Sequence, residues 1–463
     1  MLFFYFIAKD RYRNYVLLAA SIVFYAYGEP KFVFLLLLSI LVNYLLALWI
    51  AKFKAAEKTS GAKGVLALAV FCNLLLLYLF KYLDFSITLL DNVFGLSIPL
   101  RNIALPIGIS FFTFQALSYV IDVYRGTAAV QKNLLYLALY ISFFPQLIAG
   151  PIVRYNTIET QITNRTHTLE KFAEGMRRFL LGFSKKILIA NQLAIVTEEI
   201  RAMNGGDYSL TNPALLWLGS ICFSLQLFFD FSGYSDMAIG LGRIFGFEFE
   251  ENFRYPYCTP TVSGFWDRWH ISMCRWFRDY IYIPLGGSHV KLPRYVFNLF
   301  VVWFLTGIWH GANTNYIAWG LSFVPALLLE KYLIKPKRFQ NRALKVFYRI
   351  LSLLFINFTM VMFNSNGITD GIHYILGMVG FYGTPFSVDA ELIRYLREYG
   401  FFLIAGILFS TPVIPRISAL LEKKKGLSIA KSVSVPVGYA FIFLWSTSYL
   451  ILGTHNPFIY FNF

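Results

Sequence analysis

The sequence predicts an all-α polytopic membrane protein, and three observations carry that expectation. Its 463 residues are 57% hydrophobic and 19% aromatic but only 14% charged, against roughly 25% charged in soluble domains. Uncharged runs at Phe32–Ala51, Asn102–Ile121, Leu134–Val153, Tyr208–Phe229 and Ser432–Phe463 each reach the roughly 20 residues that cross a hydrocarbon core as a helix. The basic residues behind the net charge of +16 gather in short loops at Lys52–Lys63, Lys331–Lys345 and Arg416–Lys431, the pattern of cytoplasmic loops rather than of a nucleic-acid surface. About eleven crossings are expected, and no alternating pattern points to a barrel. If the loop before Ser432 is cytoplasmic, the last span carries Tyr460 to the outer face.

No long polar linker or repeat interrupts the chain, so residues 1–463 read as one membrane domain. The N-terminal "MLFFYFIAKDRYRN" is too short in apolar residues for a span or a signal peptide, and reads as an interfacial stub or the remainder of a longer start. Cys72, Cys222, Cys258 and Cys274 form no C-x-x-C pair, which indicates neither zinc nor a disulfide framework. Pro106 and Gly108, and Pro145, Gly150 and Pro151, mark either kinked helices or irregular backbone of the kind tolerated where it is buried in protein or lines a cavity.

From Asp230 to Ser288 charge rises while the aromatic content persists. Within this stretch Phe265, Trp269, Met273, Trp276 and Tyr280 recur at helical spacing, with Arg268, Ser272, Arg275 and Asp279 as a second stripe. An amphipathic or re-entrant helix is expected, its polar stripe facing water or substrate. "GLGRIFG" at Gly240–Gly246 has the wrong spacing for a dinucleotide fingerprint, so Gly242 and Gly246 are read as helix-packing residues.

Zinc-protease, hydrolase-elbow and P-loop signatures are absent. What remains is a pair of histidines, each after a tryptophan: His270 in "WDRWHIS" and His310 in "GIWHGA". His310 sits in a run without Asp, Glu, Lys or Arg from Tyr295 to Leu329. An ionisable residue inside a span marks a functional site by default, although a satisfied core histidine fits the periodicity equally well. Burial favours the neutral imidazole, and a neutral ring accepts a proton from an attacking hydroxyl, a contribution of roughly 10² to 10⁴ in rate. Gly307 and Gly311 would let backbone or substrate come close. His167, His289, His373 and His455 fall in loops or near segment ends and read as solvated.

"FFPQLIAGPIVRY", "FFDFSGYSDMAIGLGRIFGFEFEENFRYPY", "FWDRWHISMCRWFRDYIYIPLGGS" and "GIWHGA", in that order, resemble the signatures of the membrane-bound O-acyltransferases (MBOAT). Within them they resemble the bacterial alginate O-acetylation (AlgI-like) branch more than the teichoic-acid D-alanylation branch. The resemblance implies a ring of helices around a thinned centre with funnels from both faces, and a polar tunnel that keeps His310 hydrated on one side. It assigns His310 the essential-histidine role and makes His270 a positioning or polarising partner. The tail "NPFIYFNF" resembles the branch's F-x-Y-x-x-F ending, which implies that Tyr460, between Phe458 and Phe463, holds the acyl group transiently. An interfacial aromatic anchor is the alternative for this tyrosine.

On the matching motifs the resemblance further implies substrate contacts at Trp309, Trp269, Arg268, Asn313, Asp230, Ser232 and Gln146, and no metal. No tightly bound cofactor is implied; acetyl-CoA or another acyl thioester is the expected donor substrate. The expected partners are a secreted or membrane-anchored SGNH-type transferase, a polysaccharide acceptor and the lipid bilayer, in a bacterial cytoplasmic membrane. Two other readings stay open at this level: transfer of D-alanine or another acyl group, and a non-catalytic transporter or channel, which would also explain intramembrane polarity.

Overall fold

The computed structural model describes residues 1–336, 339–422, 427–452 and 458–459. Among these residues the chain is helical and contains no strand. Eight helices are long and apolar enough to cross a membrane, or nine if the pair Ala390–Phe409 and Val413–Leu420, bent by 69°, forms one span. The sequence suggests about eleven, give or take two, and the lower figure among the described residues has identifiable causes. The uncharged run from Asn102 becomes helical only at Ile109, and the run from Leu134 stops at Ser142 before a short helix Phe144–Leu147.

Two compact units emerge, one formed by Met1–Met176 with Ala238–Glu250 and the other by Arg177–Met237 with Glu251–Phe463. Two of their three boundaries fall inside the helices Leu169–Ser184 and Pro213–Ile244, and the third lies between Glu250 and Glu251. A helix that runs on through a boundary leaves no long polar linker in the sequence at that point.

In the first unit the helices Val33–Ala55 and Thr59–Leu77 are stitched by a reciprocal amide pair. Asn73 Nδ2 donates to Asn43 Oδ1 at 2.8 Å, and Asn43 Nδ2 donates back at 3.3 Å. Polar glue of this kind holds helices where no hydrophobic drive distinguishes lipid from protein. Pro106 and Gly108, and likewise Gly150 and Pro151, lie in irregular backbone, whereas Pro145 falls in the first turn of the short helix Phe144–Leu147. The residues before Ile109 are non-helical, with the Ile107 carbonyl accepting from Tyr25 and the Ile107 N–H donating to Glu29 at 3.1 Å. Side chains thus satisfy the backbone that a helix would have satisfied itself. The N-terminal stub is a short helix, Leu2–Ile7, anchored by buried Tyr5, whose hydroxyl lies 2.7 Å from His167 Nε2 and donates to the Phe245 carbonyl. His167 is therefore a half-buried structural residue, and burial together with Arg13 lowers its pKa.

In the second unit the helices Leu292–His310 and Thr314–Leu328 form a hairpin around the residues that follow His310. A Cβ on Gly320 would lie 2.4 Å from the Trp303 carbonyl oxygen, and one on Gly307 would lie 2.5 Å from that of Tyr316. Gly311 lies beneath the Tyr316 ring. These glycines admit neighbouring backbone and ring, which resolves the expectation of close approach in favour of the protein itself. Gly320→Ala is therefore expected to lower stability by about 1–3 kcal/mol through overpacking, read as an earlier melt of the detergent-solubilised protein. An unchanged melting temperature would contradict this contact.

Gly242 and Gly246 do not serve as the predicted helix-packing pair. Gly242 makes room for the Phe249 ring, and Gly246 takes φ +83° just after the helix end. Close helix contact is made instead at Gly182 and Gly233, where a Cβ on Gly182 would meet the Gly233 carbonyl at 2.4 Å.

The predicted amphipathic helix is broken. Helices Val262–Trp266 and Ile271–Phe277 are separated at His270, which takes φ 44°, ψ 52°. Phe265, Trp269, Met273, Trp276 and Tyr280 are all buried as expected. The polar stripe is divided: Arg268 is exposed, Ser272 is buried, and Arg275 and Asp279 are half-buried.

Candidate active site

A non-glycine residue in the left-handed region costs roughly 1–3 kcal/mol and persists only where its surroundings impose it. At His270 the imposing element is the extended stretch around Asn252. The Ile271 N–H donates to the Asn252 carbonyl at 2.9 Å and the Arg254 N–H to the Arg268 carbonyl at 3.0 Å. The Asn252 side-chain oxygen gathers the other donors: Ser272 N–H at 3.1 Å, Ser272 Oγ at 2.9 Å and His270 Nδ1 at 3.3 Å. Asn252 Nδ2 in turn donates to Ser235 Oγ at 3.1 Å, tying the cluster to the helix Pro213–Ile244.

An amide oxygen only accepts, so His270 Nδ1 carries the proton and Nε2 keeps the lone pair of a neutral ring. The ring is 0% exposed and meets Phe231 edge-on, with centroids 4.5 Å apart. Burial lowers its pKa from 6.5 to about 3, so it stays neutral across the physiological range. Since the folded value lies below the unfolded one, its stabilising contribution is complete above about pH 6.5 and is lost as pH falls toward 3.

His310 ends its helix and is 2% exposed. Three buried aromatic rings stand edge-on around it: Trp309 and Trp319 with centroids at 4.9 Å, and Phe363 at 5.3 Å. Trp309 also lies against His270 at 5.8 Å, so one indole bridges the two histidines. Phe363 is held by Asn315, whose Nδ2 donates to the Phe363 carbonyl at 3.1 Å. Behind the cage, buried Glu330 caps the helix that carries Trp266, accepting from the Val262 N–H at 2.6 Å, the Ser263 N–H at 2.9 Å and the Tyr348 hydroxyl at 2.8 Å. Trp266 packs on Trp303 at 4.7 Å and on Trp319 at 5.8 Å, which passes this support to the His310 cage. The three rings that cover His310 are themselves buried.

The structure thus brings His270, Trp309 and His310 together. Trp269 stacks on Phe265 with centroids 5.3 Å apart and meets Phe253, whose ring in turn stacks on His270. The remaining sequence candidates have other positions. Arg268 is exposed, and Asn313 caps the helix Thr314–Leu328 by accepting from the Thr314 N–H at 2.6 Å. Gln146 is a buried residue of the first unit and donates to the Tyr140 carbonyl at 2.7 Å. Ser232 is buried on the helix Pro213–Ile244, and Asp230 is buried in an ion pair with Lys186. Tyr460 and His455 lie outside the described residues.

Sequence reasoning missed Asn252, Ser235, Lys186, Trp319 and Phe363. Asn252 stood inside a quoted motif, where an uncharged amide among Glu250, Glu251 and Arg254 was the available signal. Among the described residues, no group of three His, Cys, Asp or Glu side chains could hold a metal ion.

The chain is thus helical and multi-span, with two buried histidines bridged by a tryptophan in its second unit and no metal-binding cluster among the described residues. The family model of MBOAT, the membrane-bound O-acyltransferase family, matches residues 19–369. The chain belongs to that family and is an O-acyltransferase. It is 44% identical over 344 residues to the probable alginate O-acetylase AlgI of Pseudomonas putida, covering 72% of this chain and 69% of that one. It is 30% identical over 495 residues to the peptidoglycan O-acetyltransferase of Helicobacter pylori, covering 96% and 91%. The teichoic acid D-alanyltransferase of Bacillus subtilis is 32% identical over 234 residues, 48% of this chain and 58% of that one. Across Pseudomonas relatives the chain spans between 62% and 69% of their length.

Proposed function

We propose that the protein moves an acetyl group from a cytoplasmic thioester, acetyl-CoA, to the hydroxyls of an exported or cell-surface polysaccharide, from a bacterial cytoplasmic membrane and with its C-terminus outside. His310 is the general base. Its neutral imidazole takes the proton of an attacking hydroxyl as that oxygen bonds to the thioester carbonyl carbon. The carbon–sulfur bond then breaks, and the departing thiolate takes the proton back from the imidazolium. Tyr460 is the hydroxyl that attacks and carries the acetyl ester. A secreted or membrane-anchored SGNH-type transferase accepts the group and passes it to the sugar, which restores the tyrosine. No bound cofactor is needed.

The observation that supports this reading best is the Trp309 bridge between two enclosed histidines in a chain whose relatives include two named O-acetyl-transferring proteins. Acetate is favoured over D-alanine because the D-alanyl relative matches only 48% of the chain, whereas the acetyl-transferring relatives match 72% and 96%. Family membership decides for an enzyme over a transporter or channel.

The test uses purified protein in vesicles given labelled acetyl-CoA, followed by intact-mass and peptide mapping. The parent is expected to gain one acetyl group at Tyr460 and Tyr460→Phe none. A Tyr460→Phe strain that still acetylates its polymer fully would remove the relay, and a labelled D-alanyl donor accepted in place of acetyl-CoA would change the cargo.

A further inference from the structure

An ion pair buried in a membrane span is costly unless its remaining hydrogen-bonding capacity is also used. Lys186 and Asp230 form such a pair, with side chains only 5% and 3% exposed. Lys186 Nζ donates to Asp230 Oδ1. The other carboxylate oxygen accepts the backbone N–H of Ile459 at 2.8 Å, a residue of the chain's own C-terminal tail. The preceding tail residue, Phe458, lies beneath the same ammonium, with Nζ 4.7 Å from the ring centroid. Its ring also meets Tyr234 edge-on at 5.0 Å. Charge, backbone and aromatic face therefore converge on two consecutive tail residues.

The placement ties this socket to the histidines. Asp230 and Tyr234 are four residues apart on the helix Pro213–Ile244 and so share one face. The next residue after each, Phe231 and Ser235, belongs to the His270 cluster: Phe231 touches the His270 ring at 4.5 Å and Ser235 holds Asn252 at 3.1 Å. Less than two helical turns, Asp230 to Ser235, carry both the tail socket and the support of His270.

We infer that the Lys186–Asp230 pair is a clamp for the chain's own C-terminal tail, gripping the Ile459 N–H and the Phe458 ring and so holding the tail against the helix that also supports His270. Both residues are positioning residues. The clamp's purpose rests on the proposed relay, while the docking itself does not. A hydrogen bond to a charged acceptor, worth about 1.5–3 kcal/mol, sets the expected size of the effect at roughly tenfold or more.

The test places a single cysteine after Phe463 in a background with Cys72, Cys222, Cys258 and Cys274 changed to alanine, and follows maleimide labelling of the purified full chain in vesicles. Ile459→Pro deletes the donor and leaves the ion pair untouched. Lys186→Met with Asp230→Leu removes both charges together, so that neither is left buried alone. Both are expected to label at least about tenfold faster than the parent and to lose acetyl transfer by a similar factor, whereas Ile459→Val, which keeps the N–H, labels at the parental rate. Tyr460→Phe also keeps the N–H; its labelling stays parental, and its transfer activity reports on the relay alone. Parental labelling in both clamp variants, with unchanged melting, overturns the clamp whatever Tyr460→Phe does. Faster labelling with transfer already absent from the parent would leave the clamp standing and remove the relay.

Discussion

His310→Ala is expected to transfer acetyl groups at a rate about 10² to 10⁴ lower than the parent, in a protein that still inserts and folds. In the proposed reaction the imidazole takes the proton, inside a cage of Trp309, Trp319 and Phe363, and alanine offers no lone pair. The cage would be left with a void, so a melting temperature a few degrees lower accompanies the loss. His310→Gln separates the two effects, since it restores volume and polarity but not a basic nitrogen; it is expected to melt close to the parent and to remain inactive. The measurement is acetyl transfer per folded molecule, normalised by size-exclusion recovery. A His310→Gln protein with parental turnover would end the general-base assignment, whatever happened to stability.

Asn252→Leu is expected to be the most damaging change outside His310. Its side-chain oxygen receives three donors, from Ser272 N–H, Ser272 Oγ and His270 Nδ1, and each buried donor left without an acceptor costs about 1–3 kcal/mol. The left-handed turn at His270 loses the side-chain anchor that offsets its strain, while the backbone bond from Ile271 to Asn252 remains. Stability should fall by about 2–5 kcal/mol, and residual activity by at least tenfold as the His270 ring leaves its place against Trp309. Asn252→Asp provides the electrostatic counterpart. It keeps the acceptor 3.3 Å from Nδ1 and adds a negative charge, which favours the protonated ring. His270, held at about 3 in the parent, should then titrate closer to neutrality. Activity in Asn252→Asp is expected to decline as pH is lowered from 8 to 5, relative to the parent at each pH. Superimposable pH profiles would show that the protonation state of His270 is irrelevant to transfer.

The comparison between sequence and structure is instructive at particular residues. His310 was legible because a polar ring in a run without charge from Tyr295 to Leu329 is chemically conspicuous wherever that run folds. The aromatic stripe from Phe265 to Tyr280 was legible in the same way, and all five of its members are buried. The break at His270 was not, since helical spacing continues across it and the force that bends the chain comes from Asn252, eighteen positions earlier. Arg268 and Asn313 were drawn into the site by their neighbours in sequence, yet one faces outward and the other caps a helix. The exact number of crossings was not legible either: uncharged length cannot tell a helix from the breaks before Ile109 and after Ser142, where side chains such as Tyr25, Glu29 and Ser21 partner the backbone.

The sequence by itself determined that this is an all-helical, multi-span membrane protein of the O-acyltransferase family with two tryptophan-flanked histidines, because hydropathy, charge placement and local motif are properties of neighbouring residues. Only the tertiary structure decided that Trp309 joins those histidines, that Asn252 sets the proton on His270, and that Asp230, paired with Lys186, accepts the backbone N–H of Ile459. Each of these is a contact between residues far apart in the chain, and its energy exists only once burial has removed the water that would otherwise have satisfied the same groups.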